Sequence, residues 1–246
     1  MRQAFVLLAV VGVMASNTAV AAEMAVKAQV APTVRDWSGV YAGLNAGYGW
    51  AGADWLDTTS SPAATFFDYT PGQGFSNRLS GVFGGAQVGV NFQNGSWVFG
   101  VEAMLDASAL EGNFTSNTPL GAGDDQFKAR VEALAVVSGK IGYAVGNWLA
   151  YGKAGYAAAK IHASVNDTTP PATGSGSASQ WRSGPAAGLG FEYGVTPALS
   201  IGIEYDHLWL DSGSYQLGGS AGTYIWNVGI RDVDLLMARL NYHFGR

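Results

Sequence analysis

The 246-residue chain contains no cysteine, which excludes both a disulfide framework and a lipid-modified leader. Charge is scarce as well. Asp, Glu, Lys and Arg make up 13% of residues, against 48% hydrophobic and 12% aromatic, whereas a soluble domain carries ~25% charge. No apolar run reaches the ~20 residues that a helix needs to cross a bilayer. Basic residues are outnumbered, and the formal net charge of −5 argues against nucleic acid or another polyanion as partner. The 8 prolines fall mostly between the apolar runs, while the 35 glycines recur inside them. A chain this poor in charge and without a helical span is accommodated by strands that close into a lipid-facing barrel.

Met1–Ala22 has Arg2 in a short positive start, an apolar stretch from Ala4 to Ala15, and the small residues Ala19-Val20-Ala21-Ala22. That pattern predicts a signal peptide cleaved after Ala21 or Ala22. Glu23–Asp36 contains Pro32 and shows no periodicity, so it reads as a short periplasmic tether. Trp37–Arg246 reads as a single barrel domain.

Within that domain the dominant signal is a period of two. From Trp37 to Trp50, Val40, Leu44, Tyr48 and Trp50 alternate with Tyr41, Gly43, Asn45 and Gly47. The same parity predicts strands over about 79–92, 96–106, 127–145, 148–161, 180–195 and 199–208. The closing run places Leu236, Leu240, Tyr242 and Phe244 opposite Met237, Arg239, Asn241 and His243. Asn94-Gly95, Gly146-Asn147 and Thr196-Pro197 supply tight turns. Longer connections are expected at 51–78, 107–126, 162–179 and 211–222. In the fourth strand Val131 is assigned outward and Arg130 and Glu132 inward. Pro185 interrupts the sixth, predicting a bulge or a late start there. The fold class is all-β: an eight-stranded antiparallel up-and-down transmembrane barrel.

A soluble eight-stranded barrel around an apolar ligand cavity shows the same alternation. The polar face decides against it, because it collects Glu102, Asp106, Arg130, Glu132, Lys140, Lys153, Arg182, Glu192, Glu204, Asp206 and Arg239. An apolar cavity would not tolerate them. Eight strands leave room only for their own side chains, so these charges are expected to pair into an ion network that plugs the lumen. Inward glycines leave levels where water would fit. A narrow pore is therefore the competing reading of the same residues.

Catalytic and metal-ligating patterns are missing from the sequence: there is no Gly-x-Ser-x-Gly elbow and no metal-ligand spacing. Asp206 and His207 are adjacent, so in a strand they point to opposite faces. His162 and His207 are expected at the extracellular rim, as interfacial residues or as a site for haem or a metal ion. No cofactor is assigned. In the first long connection Trp55, Phe66, Phe67 and Tyr69 accompany Asp54, Asp57 and Asp68. They read as a loop binding surface or as packing over the barrel mouth. The acidic balance of the loops points to divalent cations shared with lipopolysaccharide.

Asp36-Trp37-Ser38-Gly39-Val40-Tyr41-Ala42-Gly43-Leu44-Asn45-Ala46-Gly47-Tyr48-Gly49-Trp50 resembles the opening of the small alphaproteobacterial outer-membrane immunogenic, or porin-family, proteins. The likeness continues in Gly84-Gly85-Ala86-Gln87-Val88-Gly89-Val90-Asn91 and in Arg239-Leu240-Asn241-Tyr242-His243-Phe244. It implies an OmpA-like barrel in the Gram-negative outer membrane, without a peptidoglycan-binding domain and often antigenic. The implied partners are outer-membrane lipid, lipopolysaccharide, the barrel assembly machinery, and an external ligand or host surface reached through the loops. Some members bind haemin and some are described as porins. One departure is that Gly245 and Arg246 follow Phe244, where such strands usually end. The resulting expectation is a non-enzymatic, surface-exposed structural and interaction barrel contributing to envelope integrity, with a narrow channel or a haem-binding receptor as the alternative.

Overall fold

The computed structural model describes residues 35–59, 69, 71–116, 125–167, 174–219 and 222–245. The expected leader and most of the expected tether lie outside them. Nine strands follow in chain order: β1 (Gly39–Asp57), β2 (Gly74–Asn94), β3 (Trp97–Thr115), β4 (Gln126–Val145), β5 (Trp148–Asp167), β6 (Gly174–Gly194), β7 (Leu199–Leu208), β8 (Gly213–Gly219) and β9 (Gly222–His243). All neighbours are antiparallel, and β1 pairs with β9 from Tyr41↔His243 to Asp57↔Trp226, which closes the wall. β7 pairs with the lower half of β9 and β8 with its upper half. The two strands thus share one position, and the ring has eight.

Alternation of side chains drives this arrangement, and two glycines close the hairpins. Gly95 and Gly146 have φ of 61° and 57°, the left-handed backbone that a two-residue turn needs. Outward-facing Phe92, Trp97, Tyr143, Trp148, Tyr242 and Phe244 ring the turn end of the barrel. Tyr48, Trp50, Tyr156, Trp181, Tyr205 and Trp209 form a second exposed ring higher up, with Val, Leu and Ile between the two. These are the interfacial girdles of a membrane barrel.

The strands are longer than the alternation alone indicates. β1 has 19 residues and β5 has 20; at ~3.3 Å per residue and a tilt of ~40° the wall stands roughly 50 Å tall, about twice the ~25 Å apolar band. The upper half projects into water, and there the pattern inverts. Trp55, Leu79, Leu110, Phe127, Leu134, Ile161, Leu217 and Trp226 are buried inside. Charged and polar side chains take the outer face. The expected long connection at 211–222 is mostly β8, and 51–57 and 162–167 are strand.

Three register irregularities sit at or just above the upper ring. They lie between Trp50 and Gly52 on β1, where β9 carries the extra residue and Asp232 has φ 58°, between Ala107 and Leu110 on β3, and between Val131 and Ala133 on β4. On β4 and β9 the extra residue shifts the pleat by one and turns the following side chains to the other face, whereas β3 keeps the same residues inward through its irregularity. On β4 this places Phe127, Ala129 and Val131 inside and Arg130 outside, which reverses the expected orientation of Val131 and Arg130. Glu132 also lies on the outer face, where it pairs with Lys160.

Pro185 causes no bulge, since β6 runs through it in register with β5. Its carbonyl accepts from Trp209 N–H at 3.0 Å, so its missing N–H faces the interruption between β7 and β8, where no regular ladder runs. We predict that backbone amides of 51–57 and 162–167 exchange with deuterium as slowly as those between the rings. Exchange within seconds would mark those segments as loops.

Candidate functional site

The lumen is filled at three successive levels. At the turn end, residues 35–38, expected to be tether and strand start, are fixed across the opening. Arg35 donates to the carbonyls of Thr196 (2.5 Å), Pro197 (3.1 Å) and Leu199 (3.2 Å), and its own N–H donates to Gly146 O at 3.0 Å. Its guanidinium lies 4.5 Å from the Trp37 ring. Trp37 is fully buried, edge-on to His243 at 5.6 Å, and belongs to a small cluster with Val98, Ala144, Leu149 and Tyr151.

Above it lies the ion network. Arg239 donates through Nη1 to Glu204 and through Nη2 to Glu102. Lys153 Nζ lies 2.6 Å from Glu204, 2.8 Å from Asp206 and 3.8 Å from Glu102. Lys140 lies 3.9 Å from Glu102 and donates to Tyr41 Oη at 2.9 Å. Tyr41 in turn donates to Glu102 at 2.6 Å, and Tyr151 to Glu204 at 2.5 Å. Two acids have neutral donors instead: Asp106 accepts from Asn45 at 2.9 Å, and Glu192 from Asn241 at 2.7 Å and Ser200 at 3.1 Å. Gln87 links Asn45 to Asn241.

The structure therefore brings together Glu102, Asp106, Lys140, Lys153, Glu192, Glu204, Asp206 and Arg239, all buried within the wall. It excludes three of the expected set. Arg130 and Glu132 lie outside because of the β4 bulge. Arg182 points inward but sits higher, bonded to Gln180 and stacked over Tyr215 at 5.1 Å. Sequence reading left Tyr41, Tyr151, Asn45 and Asn241 out of the network, although each shares the inward parity of its charged neighbours. At Gly89 and Gly190 the space expected to hold water is taken by side chains. A Cβ at Gly89 would strike the Tyr41 ring, and one at Gly190 the Tyr151 ring, so glycine makes room for the two phenols to fold across the lumen.

The third level is the apolar interior of the projecting half. Trp55 stacks on Phe75 at 5.6 Å and meets Phe127 and Trp226 edge-on. Tyr69 packs on Phe75, Phe127 and Trp226. Trp55 and Tyr69 are thus buried in the mouth and form no exposed binding surface, because the alternation of β1 continues past Trp50 and keeps Trp55 inward. Phe66 and Phe67 lie outside the described residues.

On the outer wall His207 Nδ1 lies 2.7 Å and Nε2 3.5 Å from carboxylate oxygens of Asp234 and Asp232, respectively, and Tyr205 donates to Asp234 at 2.5 Å. Asp206 is on the other face. His162 contacts Ser179 at 2.8 Å. Glu111 pairs with Lys128 and Glu132 with Lys160, both at 2.9 Å. These hydrogen bonds hold both exposed carboxyls below the ordinary carboxylate range. Among the described residues no group of three His, Asp or Glu side chains fits a metal ion.

A family model described as the outer membrane protein beta-barrel domain matches residues 5–231. The chain is 30% identical over 228 residues to the 31 kDa outer-membrane immunogenic proteins of Brucella melitensis biotype 1 and Brucella suis biovar 1, covering 86% of this chain and 88% of each relative. In fold it is similar to the outer membrane protein OprG from Pseudomonas aeruginosa. That likeness has a TM-score of 0.51 and 11% identity, and it covers 87% of this chain and 100% of OprG.

Removing Arg239 leaves Glu102 and Glu204 buried without their shared cation, a change that costs about 3–5 kcal/mol when one partner of a buried pair is lost. Arg239→Met is expected to lower the unfolding free energy of the refolded barrel, measured by urea titration, by that amount. Arg130→Met, on the outer wall, is expected to shift it by no more than ~0.5 kcal/mol.

Proposed function

The chain belongs to the outer membrane protein β-barrel domain family and resides in the Gram-negative outer membrane, and from that premise we propose that it is a closed, non-conducting barrel. Its work is structural and adhesive. It anchors a tall, rigid wall in the membrane and presents the extracellular end of that wall to its surroundings.

The observation that carries this reading is the continuous filling of the lumen. An ion following the axis from the turn end would meet Trp37, then the Arg239–Glu102–Glu204 network, then the Trp55–Phe127–Trp226 cluster. Each level differs in chemistry, and the last is walled mainly by aromatic and aliphatic side chains, a poor replacement for an ion's hydration shell. The reading is also supported by the wall's height, which carries the upper ends of β1 to β6 well above the lipid. The immunogenicity that names the Brucella relatives would follow from the same exposure in this chain. A non-enzymatic role is favoured by the placement of the acid and histidine side chains. The buried acids are enclosed in the network, while His207 and its carboxylates lie on the outer wall at the level of the aromatic ring, with no serine or threonine among the described residues bonded to them.

The mature protein, shown to be folded by a heat-shifted gel band, is expected to give no discrete current steps in a planar bilayer. Neutralising Glu102, Lys140 or Arg239 singly is expected to leave it silent, because the apolar level above stays closed. Steady, reproducible steps from the unmodified barrel would make it a pore and overturn the proposal.

A further inference from the structure

Residues 35–38 belong to no strand, yet they are bonded to all three tight turns of the barrel. At the β2–β3 turn, Trp37 N–H donates to Gln93 Oε1 at 2.6 Å and Gln93 N–H donates to Ser38 Oγ at 3.1 Å, while Gln93 Nε2 donates to Gly95 O at 2.8 Å. At the β4–β5 turn, Gly146 O accepts from Arg35 N–H. At the β6–β7 turn, the Arg35 guanidinium donates to the carbonyls of Thr196, Pro197 and Leu199. The segment also crosses the closing seam of the wall. It runs directly into β1 on one side of β9, and Arg35 is fixed on the other side, at the start of β7.

The seat is shaped to receive this segment. Trp37 is fully buried among Val98, Ala144, Leu149 and Tyr151, side chains of three different strands, and meets His243 of β9 edge-on. Gly194, at the lower end of β6, lies outside the positive-φ region, so its backbone conformation is open to any residue. What requires glycine there is Arg35: a Cβ on Gly194 would fall on its guanidinium. Arg35 in turn lies over the Trp37 ring, which couples the two anchors.

When the segment docks follows from where its partners come from. Its side-chain bonds to the turns join residues 55 to 164 apart in the chain. Those partners converge only when all the hairpins stand in one ring, and before that four residues without a ladder of their own have too few contacts to offset their conformational entropy. Interactions absent from the folding transition state change the unfolding rate and leave the folding rate alone. We infer that residues 35–38 are a latch on the closed barrel. They dock after β1 has met β9, hold the seam against peeling from its lower end, and set how long the folded wall lasts. The inference rests on the fold alone, and a conductance result of either kind leaves it standing.

The test follows the heat-shifted gel band of the mature barrel in detergent micelles after jumps to high and to low urea, which reads unfolding and refolding rates separately. Arg35→Ala is expected to speed unfolding about tenfold and Trp37→Ala by more, with refolding in both within about twofold of wild type. Gly194→Ala evicts the guanidinium while leaving the latch sequence intact. It is expected to match Arg35→Ala, and the double variant to unfold no faster than either single one. Refolding slowed as much as unfolding is accelerated, or a Trp37→Ala chain that does not refold, would make the segment part of the folding nucleus and overturn the proposal. So would unfolding at the wild-type rate in folded Arg35→Ala and Gly194→Ala, or effects of the two that multiply in the double variant.

Discussion

A backbone amide inside hydrocarbon has no water to bond with, so a strand that enters lipid must be paired along both edges. The pairing of β1 with β9 from Tyr41↔His243 upward meets that requirement by removing the last free edges of the wall. Closure has a second consequence. The inward faces of eight strands are brought within reach of one another, and any charge placed there must find its partners inside. Arg239 bridging Glu102 and Glu204, with Lys153 extending to Asp206, is the answer this chain gives.

The wall is regular where it is surrounded by lipid and irregular where lipid gives way to water. The bulges at Trp50/Gly52, Ala107/Leu110 and Val131/Ala133, and the interruption between β7 and β8, all occur at or just above the upper aromatic ring. A bulge leaves backbone groups without ladder partners. Water can satisfy them at the boundary, whereas hydrocarbon cannot. On β4 and β9 the bulges also exchange inside for outside, turning Val131, Phe127, Ile230 and Trp226 into the interior. One chain thereby builds a barrel that is apolar outside in the membrane and apolar inside above it. The upper half is held by the same burial that holds a soluble protein, and each aromatic there contributes on the order of 2 kcal/mol.

Most of the membrane half was legible from period-two patterning. Val40, Leu44, Tyr48 and their counterparts face lipid, and eight of the expected charged residues meet in the lumen. The failures are local and share a cause. Arg130, Glu132 and Val131 were assigned by carrying parity straight through β4, and parity does not survive an extra residue. The aromatics near the first connection were read as a loop because the pattern changes sense above Trp50, where the inward set becomes apolar. Pro185 was read as a defect in the ladder, and it sits where the neighbouring strand already leaves a gap.

The sequence by itself determined the class of solvent and the number of wall positions. Side-chain alternation and turn glycines are properties of adjacent residues, and a low content of charge without a helical span leaves few other folds. Only the tertiary structure decided which charges pair and where the bulges fall. It also showed that Trp37 closes the turn end and that Tyr41 and Tyr151 lie over Gly89 and Gly190. These features depend on register between strands far apart in the chain. A shift of one residue there inverts every face above it.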